Sequence, residues 1–178
     1  MSHLHRISRP AIEREAAQLL RRAGIGGPPV DVEKVAAQLS IRVEQADLDE
    51  DCSGILIRSD EDGAVIGVNW DHHPNRQRFT IAHEIGHFLL HKGGTFIDKG
   101  TYARFRDQQS GSGTVSEERQ ANQFAAALLM PAEWVKEAFK AHPFDPADGS
   151  ALQDLADAFQ VSTQAMMFRI SNMGLLNG

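Results

Sequence analysis

Two histidines four residues apart enclose a glutamate in the pentapeptide His83-Glu84-Ile85-Gly86-His87. On a helix, residues at i and i+4 share a face, with Cβ atoms about 5–6 Å apart. Two imidazoles so placed can converge on one zinc ion, with Zn–N bonds of about 2.0–2.1 Å. Glu84 lies too far round the helix to join them as a ligand. It can instead reach a water on the metal and take its proton, the general-base geometry of zinc hydrolases. The chain has 8 histidines and 11 glutamates. At that composition about 0.02 such matches are expected by chance. The plainer alternative, two ordinary packed or surface histidines, fits less well, because helical pattern continues on both sides in Phe79-Thr80-Ile81-Ala82 and Phe88-Leu89-Leu90. Gly86 costs about 1 kcal/mol relative to Ala in a helix interior. A residue that small would let another element approach the metal closely.

Two histidines leave a catalytic zinc one protein ligand short. His91 continues the same row, but at 1.5 Å rise per residue it stands about 12 Å from His83 along the axis, too far for one ion. Its expected place is structural or behind the ligands. A third histidine at position 93, the metzincin solution, is excluded because that residue is Gly93. The best remaining source is Ser116-Glu117-Glu118-Arg119-Gln120-Ala121-Asn122-Gln123-Phe124-Ala125. Glu118, Asn122 and Ala125 lie on one helical face at i, i+4 and i+7. Glu118 would bind the metal, and Asn122 could hydrogen-bond a motif histidine or Glu118. Glu117 points about 100° away. The bland reading makes both glutamates solvated charges in the first turn of a helix.

These residues need elements to hold them. Ser8-Arg9-Pro10 reads as a helix entry, with Ile12, Ala16, Leu19, Leu20 and Ala23 at helical spacing through Arg22. Asp31 is an N-cap for a short second helix carrying Val32, Val35, Ala36 and Leu39. Ile41 to Glu44, Ser53 to Arg58 and Ala64 to Asn69 read as strands, the last two forming a hairpin. Asn75 to about His91 is the motif helix. Gly93 to Gly113, with Gly-Gly and Ser-Gly-Ser-Gly, is expected to be a long mobile loop. Val115 to Met130 and Ala132 to Ala141 are further helices, followed by a linker from His142 to Gly149 and two short helices, about Ser150 to Gln160 and Ser162 to Met173. The expected fold is α+β: a small sheet with a hairpin lies against the motif helix, and the ligand helix packs across it. The expected division is a zinc-hydrolase domain over residues 1–142 and a helix-turn-helix-like tail over 143–178.

Composition narrows the function classes. The 178 residues carry 18 basic and 24 acidic side chains, a formal charge of −6, with 42% apolar content. That is globular composition in a chain long enough to bury roughly 70% of its unfolded surface. The acidic balance opposes phosphate-backbone gripping and polybasic membrane binding. No apolar run approaches the roughly 18 residues of a membrane span, and Met1 to Pro10 has no signal-peptide core. The single cysteine, Cys52, cannot form an internal disulfide. A cytoplasmic location is therefore expected. The tail has helix-turn-helix spacing, but four aspartates against Arg169 oppose DNA contact, so a helical cover or a protein-docking surface is expected.

The run Arg76-Gln77-Arg78-Phe79-Thr80-Ile81-Ala82-His83-Glu84-Ile85-Gly86-His87-Phe88-Leu89-Leu90-His91, followed by Glu118-x-x-Ala121-Asn122-x-Phe124-Ala125-Ala126-x-Leu128-Leu129-Met130-Pro131, resembles the ImmA/IrrE family of metallo-endopeptidases. Pro29-Val30-Asp31-Val32, Ser53-Gly54 and Val68-Asn69 resemble its N-terminal half, and Leu155-Ala156, Phe159, Val161-Ser162, Ala165-Met166 and Arg169-Ile170 its helical tail. The resemblance covers about residues 29 to 175 and rests on two motifs in the right order and separation. It implies a gluzincin-like site with His83, His87 and Glu118 as ligands and Glu84 as base. It also implies a role: cleavage of a helix-turn-helix repressor of XRE type, releasing stress-response or mobile-element genes. Zinc is the default ion, with Mn2+ or Fe2+ possible at such N/O sites. A donor for the oxyanion could come from His72, His73, Arg78, Tyr102 or His142, among which sequence does not choose. Arg78, like Asn122 and His91, could also support the ligands. The competing class is a non-proteolytic, metal-stabilised regulator or toxin-like partner of a helix-turn-helix protein. An intact Glu84 favours the peptidase, since a structural metal site needs no base.

Overall fold

The computed structural model describes residues 7–59, 63–91, 95–99, 115–141 and 149–176. Helix α1 (Arg9–Arg22) starts with Pro10 in its first turn, where a missing N–H is harmless, and buries the stripe Ile12, Ala16, Leu19 and Leu20. Asp31 caps α2 (Val32–Gln38) by accepting a hydrogen bond from the Lys34 N–H at 2.9 Å. Strands β1 (Ile41–Ala46), β2 (Cys52–Ser59) and β3 (Gly63–Asn69) follow. β2 and β3 form the expected antiparallel hairpin, with Gly54 opposite Val68 and Ser59 opposite Gly63. β1 joins β3 in parallel, Ile41 facing Ala64. Ala64, Ile66 and Val68 alternate along β3 and are buried, the period-two signature of a strand with one covered face.

The stretch after Gly93 departs from the expected long loop. Thr95–Lys99 forms β4, antiparallel to β2, with Phe96 opposite Leu56 and an irregular register between Cys52 and Gly54. Five residues between glycines carry too little periodicity to announce a strand; backbone pairing with β2 makes it one. The rest of that expected loop, and the expected linker before Gly149, lie outside the described residues. The sheet order is β1-β3-β2-β4, and with the helices it makes an α+β fold.

Helix α3 (Pro74–Leu90) buries eight consecutive residues, Thr80 to His87. A helix buried all round must be packed from several directions. α3 meets α4 (Val115–Leu129), β2, β3 and α2. α5 (Ala132–Ala141), α6 (Gly149–Phe159) and α7 (Thr163–Asn172) complete the chain. Ser162 caps α7 by accepting from the Ala165 N–H at 3.1 Å. Phe159, Val161, Met166 and Ile170 join the same apolar core as α1 and α4. Polar contacts tie the tail down. The buried Arg169 gives Nε–H to the Met130 carbonyl at 2.8 Å and pairs through both terminal nitrogens with the Glu13 carboxylate. Among the described residues no helix is long and apolar enough to cross a membrane.

Candidate metal centre

The helical spacing of the motif places the two imidazoles on one face of α3. Their Nε2 atoms are 3.1 Å apart and their ring centroids 4.7 Å apart. Glu118, in the first turn of α4, completes the group. Its Oε2 is 3.3 Å from His83 Nε2 and its Oε1 is 3.3 Å from His87 Nε2. All three side chains are buried, and each offers a ligand atom within 4.8 Å of the others. Glu117, on the neighbouring face, stays outside this group, as the helical offset requires.

Gly86 explains how α4 reaches the motif. A Cβ on Gly86 would lie 3.1 Å from Ala121 Cα, 3.2 Å from the Ala121 carbonyl oxygen and 3.2 Å from Phe124 Cβ. The bare backbone lets the helices meet one turn beyond Glu118. Gly54 does the same for β2: a side chain there would run into the Thr80 methyl and come within 3.7 Å of Glu84 Cγ. Glu84 is fully buried beneath this strand.

The donor set fits a small divalent cation. Asn122 Oδ1 lies 3.0 Å from His83 Nδ1 and accepts its proton, which leaves the Nε2 lone pair facing His87 and Glu118. Lone pairs and a carboxylate converging at this range repel one another unless a cation or proton sits among them. Two donors bound to one cation at roughly 2.05 Å with a tetrahedral angle stand ~3.3 Å apart. The observed separations of 3.1 and 3.3 Å match that edge. Burial alone would raise the Glu118 pKa, but the hydrogen bonds and charge that His83 and His87 offer when their rings are protonated outweigh it and hold the carboxyl well below the usual range. A carboxylate kept ionised is what a cation site requires.

His91 caps α3 and reaches α4. Its Nε2 is 3.1 Å from the Glu117 carbonyl oxygen, and its ring centroid lies 5.2 Å from that of His87. Burial, reinforced by His87, lowers its pKa against the opposing pull of Glu117 and Glu118. Arg78 turns toward the tail instead: its Nε–H donates to the Gln160 carbonyl at 3.3 Å. His73 caps the start of α3, accepting from the Asn75 N–H at 3.2 Å. His72 lies half-buried just before that helix. Tyr102 and His142 lie outside the described residues.

Motif spacing does not single out Arg58, near the end of β2. Its Nη2 lies 2.9 Å from the His87 carbonyl oxygen, 2.9 Å from that of Phe88 and 2.8 Å from that of His91. Its guanidinium carbon stands 4.8 Å from the centroid of the Phe88 ring. No local signal marks this residue, because a strand arginine meets a helix end only through tertiary packing.

Comparison with known proteins gives a consistent picture. A family model for a peptidase domain, described as the IrrE N-terminal-like domain, matches residues 36–171. The radiation response metalloprotease IrrE of Deinococcus deserti is 35% identical over 113 residues, covering 63% of this chain and 37% of that protein. The protein of the same name from Deinococcus radiodurans is 34% identical over 113 residues, covering 63% of this chain and 32% of its own length. The aligned part thus spans about a third of these relatives. A solved structure titled as a Mycobacterium tuberculosis transcriptional regulator superposes with a TM-score of 0.61 at 18% identity, covering 90% of this chain and 46% of that one, a likeness of fold.

Proposed function

This chain belongs to the family of IrrE N-terminal-like peptidase domains, and from that premise we propose that it is a zinc-dependent endopeptidase. The observation that carries the reading is the convergence of His83, His87 and Glu118, with donor atoms 3.1 to 3.3 Å apart and Asn122 taking the outward proton of His83. In this reading His83, His87 and Glu118 hold the metal as a gluzincin-like trio on a zincin-type helix. Mn2+ or Fe2+ could replace zinc among such ligands. A bound zinc ion supplies Lewis acidity toward a peptide carbonyl and an attacking water. Glu84 takes the proton of that water and delivers it to the leaving amine. Asn122 keeps His83 in the tautomer whose Nε2 is free of a proton. Burial of the trio removes competing bulk water, so each charge acts at lower effective dielectric.

The substrate in this reading is a cytoplasmic helix-turn-helix repressor of XRE type, whose loss turns on stress-response genes. Support comes from the family resemblance and from the radiation-response naming of the aligned relatives. The helix-turn-helix-like pair α6–α7 serves as a cover and protein-docking element. DNA binding is disfavoured by its excess of aspartate. The test is co-expression with each helix-turn-helix repressor encoded near this gene, comparing wild type with Glu84→Gln. Cleavage by wild type alone, with one zinc per chain in both proteins, supports the reading. An intact repressor in both, under every stress applied, overturns it in favour of a non-proteolytic regulator.

A further inference from the structure

The last turn of a helix leaves carbonyl groups without intrahelical partners, and a cation placed there satisfies them and complements the helix dipole. In α3 that turn carries a histidine of the metal cluster. Arg58 reaches across from β2, with one terminal nitrogen 2.8 to 2.9 Å from the carbonyl oxygens of His87, Phe88 and His91. Its guanidinium carbon lies over the Phe88 ring, 4.8 Å from the centroid. The contact also runs onward to the second element of the cluster. His91, whose carbonyl Arg58 holds, places its own ring nitrogen 3.1 Å from the backbone oxygen of Glu117, the residue before Glu118. One guanidinium therefore grips the turn bearing His87 and, through His91, the turn bearing Glu118.

We propose that Arg58 is a positioning residue of the metal centre, fixing the spacing of the His87 and Glu118 donors by clamping the carbonyl end of α3. The role rests on the metal-site reading above. It differs from ordinary helix stabilisation in one respect. A stabiliser changes how much protein is folded, whereas a positioning residue changes how well folded protein holds the ion. Arginine suits the task because its planar fork is pre-organised and stacks on an aromatic ring. A lysine ammonium brings three donors on a flexible stem, enough to meet the same carbonyls.

The test uses the full chain stripped of metal, with Zn2+ and Co2+ alone as probes. Arg58→Met keeps most of the stem and removes the donors. Zinc affinity is measured by chelator competition, and Co2+ is read by its d–d absorption, which reports ligand geometry. The expected result is a loss of zinc affinity of about 10–100-fold with an altered cobalt spectrum, the range typical of groups that orient ligands. Arg58→Lys is expected to recover both readouts to within about threefold of wild type, since it restores donors to the same carbonyls. Should the methionine variant fail to fold, Arg58→Gln, which keeps one amide donor, is read by the same two measurements. Affinity within twofold of wild type and an unchanged cobalt spectrum in a folded variant would overturn the role, even if thermal stability falls. A wild-type chain that binds neither ion overturns this role and the metallopeptidase reading together. Binding by wild type with no effect of the variant overturns the role of Arg58 alone.

Discussion

Alanine at position 86 sets two effects of opposite sign against each other. Helix propensity favours Gly86→Ala by about 1 kcal/mol, because glycine in a helix interior loses more backbone freedom on folding. Packing opposes it. The new methyl would stand 3.1 Å from Ala121 Cα, 3.2 Å from the Ala121 oxygen and 3.2 Å from Phe124 Cβ. Carbon atoms prefer roughly 3.5–4.0 Å, so α4 must retreat by a few tenths of an ångström. Two of the three obstacles are main-chain atoms, which no change of rotamer can move aside. Overpacking of this kind costs about 1–3 kcal/mol, leaving a net destabilisation of about 1 kcal/mol. In a chain of this size that lowers the Tm by roughly 2–4 °C. The larger effect falls on the cluster, since Glu118 sits one turn before Ala121 on the displaced helix. Ligand distances tolerate only about 0.2 Å, so zinc affinity is expected to fall about tenfold or more. Circular dichroism melts of metal-free protein and chelator competition give the two numbers. A Gly86→Ala protein that melts higher than wild type and binds zinc within twofold of it would refute the close approach of α3 and α4.

Other outcomes follow from the same geometry. Glu84→Gln is expected to keep its fold and one zinc per chain while peptide hydrolysis drops about 10²–10⁴-fold, measured on the cleaved repressor. Asn122→Ala removes the acceptor for the His83 Nδ1 proton; zinc binding should weaken about 10–100-fold in competition assays. Zinc at 100 times its Kd should stabilise the wild-type chain by about 2.7 kcal/mol, a rise of several degrees in the melt that His83→Ala abolishes. Glu13→Ala leaves Arg169 buried without its carboxylate. It should cost about 3–5 kcal/mol in denaturant unfolding, with zinc affinity of the folded protein unchanged.

The pentapeptide was legible because helical periodicity alone decides which of its side chains share a face. The place of Glu118 beside the histidines was legible for a related reason: Glu118, Asn122 and Ala125 share one helical face, with small residues there and at Gly86 to allow close packing. Caps and the hairpin were equally local, as Asp31 and the β2–β3 register show. What local pattern does not carry is partner choice. β4 is a strand only because β2 offers it an edge. The parallel placement of β1 beside β3 depends on the whole sheet. Arg78 has the charge and spacing to support the motif, yet the tail's turn carbonyl at Gln160 is the partner it meets. Arg58 illustrates the converse: its meaning comes from the helix end that the fold brings to it.

The ion pair between Arg169 and Glu13 joins the first described helix to the last, and the same guanidinium holds the carbonyl at the end of α4. Opening α1 leaves the buried Arg169 without its carboxylate, and opening α7 takes the guanidinium from a Glu13 that is only partly exposed, so neither helix frays cheaply by itself. α1 and α7 should therefore exchange their amide hydrogens as one cooperative block, at rates set by the same opening event. Trimming the C-terminal helix would then be felt at the opposite end of the chain, more than a hundred and fifty residues away in sequence.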